Sequence, residues 1–352
     1  MSTPIIINPA NTMKNAGNLA NFAMKQGGGL YGGLYGGAYD AATASGMAYL
    51  VGELEKVDPK IREPLTAVTW QRDIVAETGG GWVEYTSTFD VNYGISAPNG
   101  GGIQGGSSTA IPAVQVDIGK NQYPVHTWMN VLKVPLVDQN KLQQIGRNLE
   151  DLLDRGLRLN YQKAVDQNVY VGYDEYKTTG IINNPNVVTA LVAEGAQSDT
   201  TWKKKTPDEI LNDINTALTE AWTAAEYDMR GMPNQILIPP QQYAYLVSQK
   251  VSEAGNVSIL QFLLENNIGK NQGIDVQIYP CRWCIGSGQS KKDRMMVYVN
   301  DKDMLYFDMT VPLTRALTQP SVTDAAYLTL YASQFGVPKF LFYQPVRYYD
   351  GI

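Results

Sequence analysis

Residues 76–134 place the strictest condition on the fold of this chain, because apolar and polar side chains alternate along them for an unusual length. A period of two is typical of a β-strand with one apolar face. A glycine-rich stretch at 98–108 precedes a return strand, and a third β run follows at 123–134. The apolar face comprises Val83, Tyr85, Phe89, Val91, Tyr93 and Ile95, then Val114, Val116 and Ile118. A long two-stranded hairpin is only marginally stable alone, so it needs another surface to lie on.

The first fifty residues are rich in Asn, Gly, Ala and Ser, and they do not resemble a packed domain. Within them, residues 27–39 repeat glycines followed by Leu-Tyr or Ala-Tyr, which spaces Tyr31, Tyr35 and Tyr39 along the segment. Glycine loses more backbone entropy on ordering than any other residue, yet the aromatic side chains are too apolar for a simple linker. We predict an arm that orders on neighbouring molecules; the alternative is a disordered tail.

The strongest helical pattern covers residues 138–170, with Asp138 or Asn140 as its N-cap. At about 1.5 Å per residue, a helix of that length spans roughly 45 Å. Its apolar stripe contains Leu142, Ile145, Leu149, Leu152, Leu153, Leu157, Tyr161, Ala164 and Val165, and its polar face contains Gln143, Arg147, Asn148, Asp151, Arg155 and Lys163. The heptad pattern is not sustained, so a coiled coil is not expected.

Residues 181–317 have a mixed α/β pattern. Thr206 and Glu209 form a capping-box sequence with Pro207 at the first helical position, which predicts a helix start. Further elements are expected as strands at 235–239, 274–280, 294–299 and 303–308, as short helices at about 240–251 and 257–267, and as aromatic-rich β segments at 326–348.

The composition narrows the class of protein. The chain has 352 residues, enough for about two domains, and 22 of them are tyrosine, a residue common at protein interfaces. Charged residues are 18%, below the roughly 25% of soluble domains, which favours a surface that meets other proteins. The net charge of −6 argues against a dedicated nucleic-acid binder. Accordingly, Lys203, Lys204 and Lys205 are interpreted as a solvated lead-in to a helix rather than a phosphate-binding patch.

Neither a membrane span of about 18 apolar residues nor a secretory signal is apparent, and two cysteines do not make a disulfide scaffold. We therefore expect folding in a cytoplasm and no membrane partner.

No set of residues converges on catalysis. His126 is the one histidine, which leaves no second histidine for a metal pair and no convincing nucleophile for a triad. Cys281 and Cys284 form a CxxC motif, but a loop follows it and no second CxxC completes a zinc site. The glycine-rich stretches do not match a phosphate-binding loop. We predict that the protein is not an enzyme and that it has no cofactor and no metal.

Several stretches, taken in order, resemble one family. They are Asp58-Pro-Lys-Ile-Arg-Glu-Pro64, Val171-Gly-Tyr with Thr179–Val187, Thr206–Leu211, Ile236–Tyr243 and Ser258–Asn266. The parts also follow a fixed order along the chain: arm, hairpin, long helix, α/β lobe and returning strands. Taken with this order, the stretches resemble the major capsid proteins of tailed bacteriophages. That fold is shared with encapsulins and the herpesvirus capsid floor. The resemblance covers roughly residues 55–350.

The resemblance implies an α+β fold with the parts of a tailed-phage capsid protein. These are an N-terminal arm at 1–75, an extended β-hairpin loop at 76–128, a peripheral domain with the spine helix at 129–180, an axial domain at 181–317, and a return to the peripheral domain at 318–352. It also implies self-assembly as hexamers and pentamers into an icosahedral shell around double-stranded DNA. The alternatives are an encapsulin-type compartment around an enzyme cargo, a phage tail or decoration protein, and an enzyme of unknown type.

The same resemblance suggests where subunits meet. Candidate interface residues lie on the arm, the hairpin tip and the spine helix: Tyr31, Tyr35, Tyr39, Asn99, Gly101, Gln104, Arg147, Asp151 and Arg155. Scaffold, portal and decoration proteins are further expected partners, packaged DNA is expected to make weak non-specific contacts, and assembly is expected in the host cytoplasm. Some capsids of this fold join a loop lysine to a neighbour's asparagine. Because no Lys or Arg lies between Arg72 and Lys120, no such crosslink is expected here.

Overall fold

In the computed structural model of the chain, the described residues are 66–96, 113–144, 148–252 and 256–352, without the side chains of 94–96 and 113. Residues 67–352 pack as one unit. The strands are β1 Val75–Thr78, β2 Tyr85–Ser96, β3 Ala113–Pro135, β4 Val188–Leu191, β5 Gln235–Ile238, β6 Gln277–Pro280, β7 Arg294–Tyr298, β8 Leu305–Met309, β9 Val311–Ser321, β10 Ala326–Gly336, β11 Pro338–Phe340 and β12 Arg347–Asp350. The helices are α1 Trp70–Asp73, α2 Leu136–Gln144, α3 Leu149–Tyr170, α4 Pro207–Ala224, α5 Pro240–Ser248, α6 Ile259–Asn266 and α7 Ile268–Asn271.

These strands form three sheets. A five-stranded mixed sheet has the order β4-β12-β7-β5-β6, a three-stranded sheet has the order β1-β8-β11, and β2-β3-β10-β9 form the third. This mixture of helix and sheet confirms the predicted α+β class.

The five-stranded sheet separates two apolar cores, because alternate side chains of its strands point to opposite faces. Leu237, Met296 and Tyr348 pack in one core with the C-terminal half of α3 and with the three-stranded sheet. Ile236 and Val297 pack in the other core, under α4 and α6. The capping box that sequence predicted at Thr206 is present and starts α4.

The helix predicted over 138–170 is not continuous. α2 ends at Gln144, and α3 starts again at Leu149 with Asn148 as its N-cap, whose side chain accepts a hydrogen bond from the Glu150 N–H. Neither Asp138 nor Asn140 is a cap, because α2 already begins at Leu136. The spine helix is therefore α3, with 22 residues.

The return strand and the third predicted β run are one strand, β3, of 23 residues. β3 pairs with β2 from Ala113 to Pro124, and with β10 from Val125 to Pro135. Residues 85–96 and 113–124 therefore form a two-stranded ribbon, and the rest of β3 belongs to the body of the protein.

Strand pairing crosses the predicted part boundary at 317. β9 spans that position and pairs with β10, and β12, in the predicted return segment, pairs with β4 and β7 of the five-stranded sheet. The division of the chain into parts thus stays a prediction, with β12 lying in the sheet of the α/β lobe.

Candidate assembly surface

The ribbon has one apolar face and one polar face. On the apolar face, Val91 lies opposite Ile118 and Tyr93 lies opposite Val116. These four side chains are 46%, 63%, 76% and 56% exposed, respectively. We call the following set the apolar ribbon face: Tyr85, Phe89, Val91, Tyr93, Val114, Val116 and Ile118. Exposed apolar sets of this kind on a soluble chain mark interaction sites.

The opposite face of the ribbon is polar. Asn92 lies opposite Asp117, and the Asn121 amide donates a hydrogen bond to the Asp90 carboxylate. The strands are thus held together by their backbone ladder and by polar contacts on one side. On the other side, apolar side chains lie opposite each other, and the Lys120 ammonium is 5.9 Å from the ring centre of Phe89.

The apolar ribbon face continues a buried face of the protein body. Alternate residues of a strand share one face, so Ile118 of β3 faces the same way as Trp128 and Leu132 further along. In the body this face is covered by α3, where the Trp128 and Tyr161 rings meet edge to face at 5.2 Å and Leu132 is buried against Leu157. The ribbon therefore extends a core face past the helix that covers it.

Specific contacts fix the base of the ribbon to the body. The buried side chain of Gln334, on β10, accepts a hydrogen bond from the Val83 N–H at 2.9 Å and donates one to the Val83 carbonyl at 2.7 Å. Beside it, the ammonium of Lys339 pairs with Asp308 and lies 5.3 Å from the ring centre of Tyr123. The ribbon thus leaves the body in a defined direction. Sequence periodicity alone gave no signal for these contacts.

The predicted polar face of the spine helix is exposed. Asp151 and Arg155 both lie on the exposed side of α3. Near them, Asp154 accepts hydrogen bonds from Arg158 at 2.8 Å and from the Tyr331 hydroxyl at 2.7 Å, and the Arg158 hydrogen bond lowers the pKa of Asp154. Helical spacing in the sequence does not predict these pairs.

The other predicted interface residues lie outside the described residues. They are Tyr31, Tyr35, Tyr39, Asn99, Gly101, Gln104 and Arg147.

The candidate catalytic residues are not assembled into a site. His126 is half-buried on β3 with its ring 4.9 Å from that of Tyr176, and burial lowers its pKa. Cys281 and Cys284 are buried free thiols in the main core, and burial raises the pKa of Cys284. Within the described ranges, no three His, Cys, Asp or Glu side chains lie where they could hold a metal ion. None of the helices in those ranges has the length and apolar character to cross a bilayer.

The interpretation of 203–205 as a wholly solvated segment is wrong for Lys205. Its ammonium is buried, 2.6 Å from Asp213 and 2.6 Å from the Ala193 carbonyl oxygen, and the Trp202 indole also donates to Asp213 at 3.1 Å. The buried Asp213 carboxylate, which also accepts from the indole, stabilises an ammonium charge that the sequence pattern placed in solvent. Lys203 and Lys204 are exposed as expected.

Comparisons with known proteins identify the class to which this two-core body with its ribbon belongs. The chain belongs to the major capsid protein family, whose model matches residues 100–352. No curated protein matches the chain by sequence.

Solved structures share the fold at low sequence identity. The chain is similar to the capsid of Myoviridae Phage XM1, at 15% identity and a TM-score of 0.70 over 86% of this chain and 98% of that one. It is similar to the capsid of a native GTA particle, at 11% identity and a TM-score of 0.59 over 86% and 97%. It is also similar to the holo-SrpI encapsulin complex from Synechococcus elongatus PCC 7942, at 12% identity and a TM-score of 0.51 over 86% and 95%. The predicted family and fold class are confirmed: this is a structural capsid protein of the phage type.

Proposed function

We propose that copies of this protein assemble as hexamers and pentamers into an icosahedral shell that encloses a double-stranded DNA genome. The observation that carries this proposal is the apolar ribbon face, which extends a buried face of the body and has no cover among the described residues. A second copy is a surface of the right kind, because every copy exposes the same ribbon and the same spine helix.

In the proposed contact, the apolar ribbon face of one subunit lies across the exposed side of α3 of a neighbour, near Asp151 and Arg155. We further propose that Tyr31, Tyr35 and Tyr39 of the arm at 1–75, Asn99, Gly101 and Gln104 of the hairpin tip, and Arg147 make contacts with further copies. In this arrangement, residues 181–317 together with β12 form the axial part at the centre of each hexamer or pentamer.

Burial of this face provides a useful driving force. Full burial of one large apolar side chain contributes about 1.5–3 kcal/mol. Val91, Tyr93, Val116 and Ile118 are already partly covered, so we expect roughly 1 kcal/mol from each, or about 4 kcal/mol per ribbon. Each subunit both gives and receives such a contact, so modest contacts add up over a closed shell.

The proposal is tested by placing charge on the apolar ribbon face. We expect the double variant Val91→Asp/Ile118→Asp to stay folded but unassembled, because two carboxylates cannot be buried opposite each other at an interface. The matched control, Asn92→Ser/Asp117→Ser, changes the adjacent pair on the polar face. Size-exclusion chromatography with mass measurement and negative-stain electron microscopy should show shells, or rings of five and six subunits, for wild type and for the control. They should show neither for the apolar-face variant. Shells formed equally by the apolar-face variant would contradict the proposal.

An encapsulin-type compartment is the second candidate, supported by the similarity to the encapsulin structure. Both candidates predict shells, and their contents distinguish them. Particles purified from infected or producing cells should contain double-stranded DNA for a virion and a single enzyme species for a compartment.

The remaining parts of the proposal follow from the capsid role. We infer that the protein has no catalytic activity of its own and is assembled in the host cytoplasm. Scaffold, portal and decoration proteins are its further partners. If purified chains stay monomeric, addition of the scaffold should restore assembly.

A further inference from the structure

Three lysines from two loops that are far apart in sequence line one cleft. Lys203, before α4, and Lys291 and Lys292, before β7, line an open cleft of about 480 Å³ on the α/β lobe. All three side chains are exposed, and within the described ranges none of them pairs with a carboxylate. In a chain of net charge −6, the three lysines of this lining outnumber its two aspartates, Asp199 and Asp293.

The carboxylates that line the cleft are bonded to other groups. Asp199 accepts from the Lys204 ammonium at 2.5 Å and from the Thr201 N–H at 2.9 Å. Asp293 accepts from the Gln242 amide at 2.8 Å and from the Gly286 N–H at 2.9 Å. Neither carboxylate engages the three lysines, so their ammonium groups remain available to an external anion.

Two further features favour an anion. The first turn of α5 lines the cleft through Gln241 and Gln242, and the N-terminal end of a helix carries partial positive charge. Gly351 leaves room between two polar groups: a Cβ there would lie 3.2 Å from the Thr200 hydroxyl and 3.7 Å from the Lys292 ammonium. The glycine, with φ +95°, thus keeps a hydroxyl donor and a cation open to the same space.

We propose that this lysine cleft, comprising Lys203, Lys291 and Lys292 with the first turn of α5, binds phosphate groups of the nucleic-acid backbone. The inference rests on the proposed function, since an enclosed genome is the polyanion that the shell would meet. Lysines act as mobile point charges toward phosphate, which suits contact without sequence preference. Three cations that line one cleft match the repeated charges of a duplex better than a single small anion.

The test measures duplex binding by the full-length chain with fluorescence anisotropy at several salt concentrations. The cleft variant is K203Q/K291Q/K292Q. The control, K177Q/K250Q/K302Q, removes the same charge from exposed lysines elsewhere. We expect the control to bind like wild type and the cleft variant to bind at least tenfold more weakly at low salt. For the cleft variant, the slope of the logarithm of the binding constant against the logarithm of the salt concentration should be smaller in magnitude by about 2–3. Each phosphate contact contributes about 0.9 to that slope. Equal binding by the two variants, or no binding by wild type, would overturn the inference.

Two further measurements separate related outcomes. Inorganic phosphate at constant ionic strength should not displace the duplex; displacement at millimolar phosphate would make the cleft a small-anion site and overturn the backbone assignment. Electron microscopy of the same variants reports assembly independently. A cleft variant that binds duplex normally but no longer assembles would assign the cleft to an acidic segment of another copy. Failure of wild type to form shells even with the scaffold added would contradict the proposed function and leave the duplex result standing.

Discussion

Asp166 connects the spine helix to two other parts of the protein, and its removal gives a sharp test of the packing described above. Its buried carboxylate accepts hydrogen bonds from the Thr69 and Trp70 N–H groups at 2.9 and 3.2 Å. It also accepts from the Arg282 guanidinium at 3.0 Å and the Trp283 indole at 2.9 Å. One side chain thus holds the segment before α1 and the turn after β6 against α3.

The expected loss of stability follows from the donors left behind. The substitution Asp166→Ala leaves four donors without their acceptor. Of these, the Trp70 N–H is buried, the Thr69 N–H and the Trp283 indole are partly buried, and the Arg282 guanidinium reaches solvent. Each buried donor without a partner costs about 1–3 kcal/mol. We therefore expect unfolding free energy to fall by about 4 kcal/mol. Asp166→Asn keeps one acceptor oxygen but places its amide NH₂ group against two other donors. We therefore expect this variant to lower the unfolding free energy by about 2 kcal/mol.

Urea unfolding of unassembled protein, followed by tryptophan fluorescence, measures these losses. Gln167→Ala is the matched control, because Gln167 is the next residue of the same helix and is exposed. The control should change the unfolding free energy by less than about 0.5 kcal/mol. If Asp166→Ala lowered it by less than about 1 kcal/mol at an unchanged m-value, the carboxylate would not connect these parts.

Three further predictions concern single positions. Gly156→Ala should raise the unfolding free energy by about 1 kcal/mol, because the residue is exposed within α3 and a Cβ there meets nothing within 4 Å; urea unfolding checks this. Gly180→Ala should prevent soluble folding, seen by circular dichroism, because its Cβ would lie 2.1 Å from the Tyr170 carbonyl carbon. Burial lowers the pKa of His126 in the folded protein. The unfolded chain therefore binds the proton more readily, and the unfolding free energy should fall as pH drops below about 6.5. His126→Gln should flatten thermal stability between pH 7.5 and 5.5, and an unchanged slope would assign the effect elsewhere.

Local patterns predicted those parts of the fold that local physics decides. The alternation of residues along the hairpin was sufficient to predict β2, the strand character of both parts of β3 and the apolar ribbon face, because period-two patterning and strand geometry coincide. It did not show that the two parts of β3 are one continuous strand. The capping box at Thr206 was likewise sufficient to place the start of α4. The family resemblance predicted the fold class, which local patterns alone left open.

Features that depend on distant partners were not predictable in this way. Apolar spacing continues from Leu142 to Leu149, so it did not reveal the new helix start that Asn148 caps. β9 carries mostly exposed side chains and gains its strand conformation from pairing with β10. Lys205 is buried only because Asp213, in the second turn of α4, and Trp202 come together around it. The lysine cleft likewise exists only once two loops far apart in sequence have met.

The charge pattern of the ribbon explains how an exposed apolar face can be kept for the correct partner. Lys120 lies on the apolar ribbon face, opposite Phe89, with its ammonium 5.9 Å from the centre of that ring. Two ribbons in contact through their apolar faces would offer this lysine no carboxylate, because Asp90 and Asp117 lie on the opposite, polar face. A neighbour's spine helix exposes Asp151 beside Arg155, so it offers the lysine a carboxylate. In the proposed shell, the cation among the apolar side chains thus favours the spine helix over a second ribbon as the surface that the ribbon covers, because a charge without a partner is costly to bury.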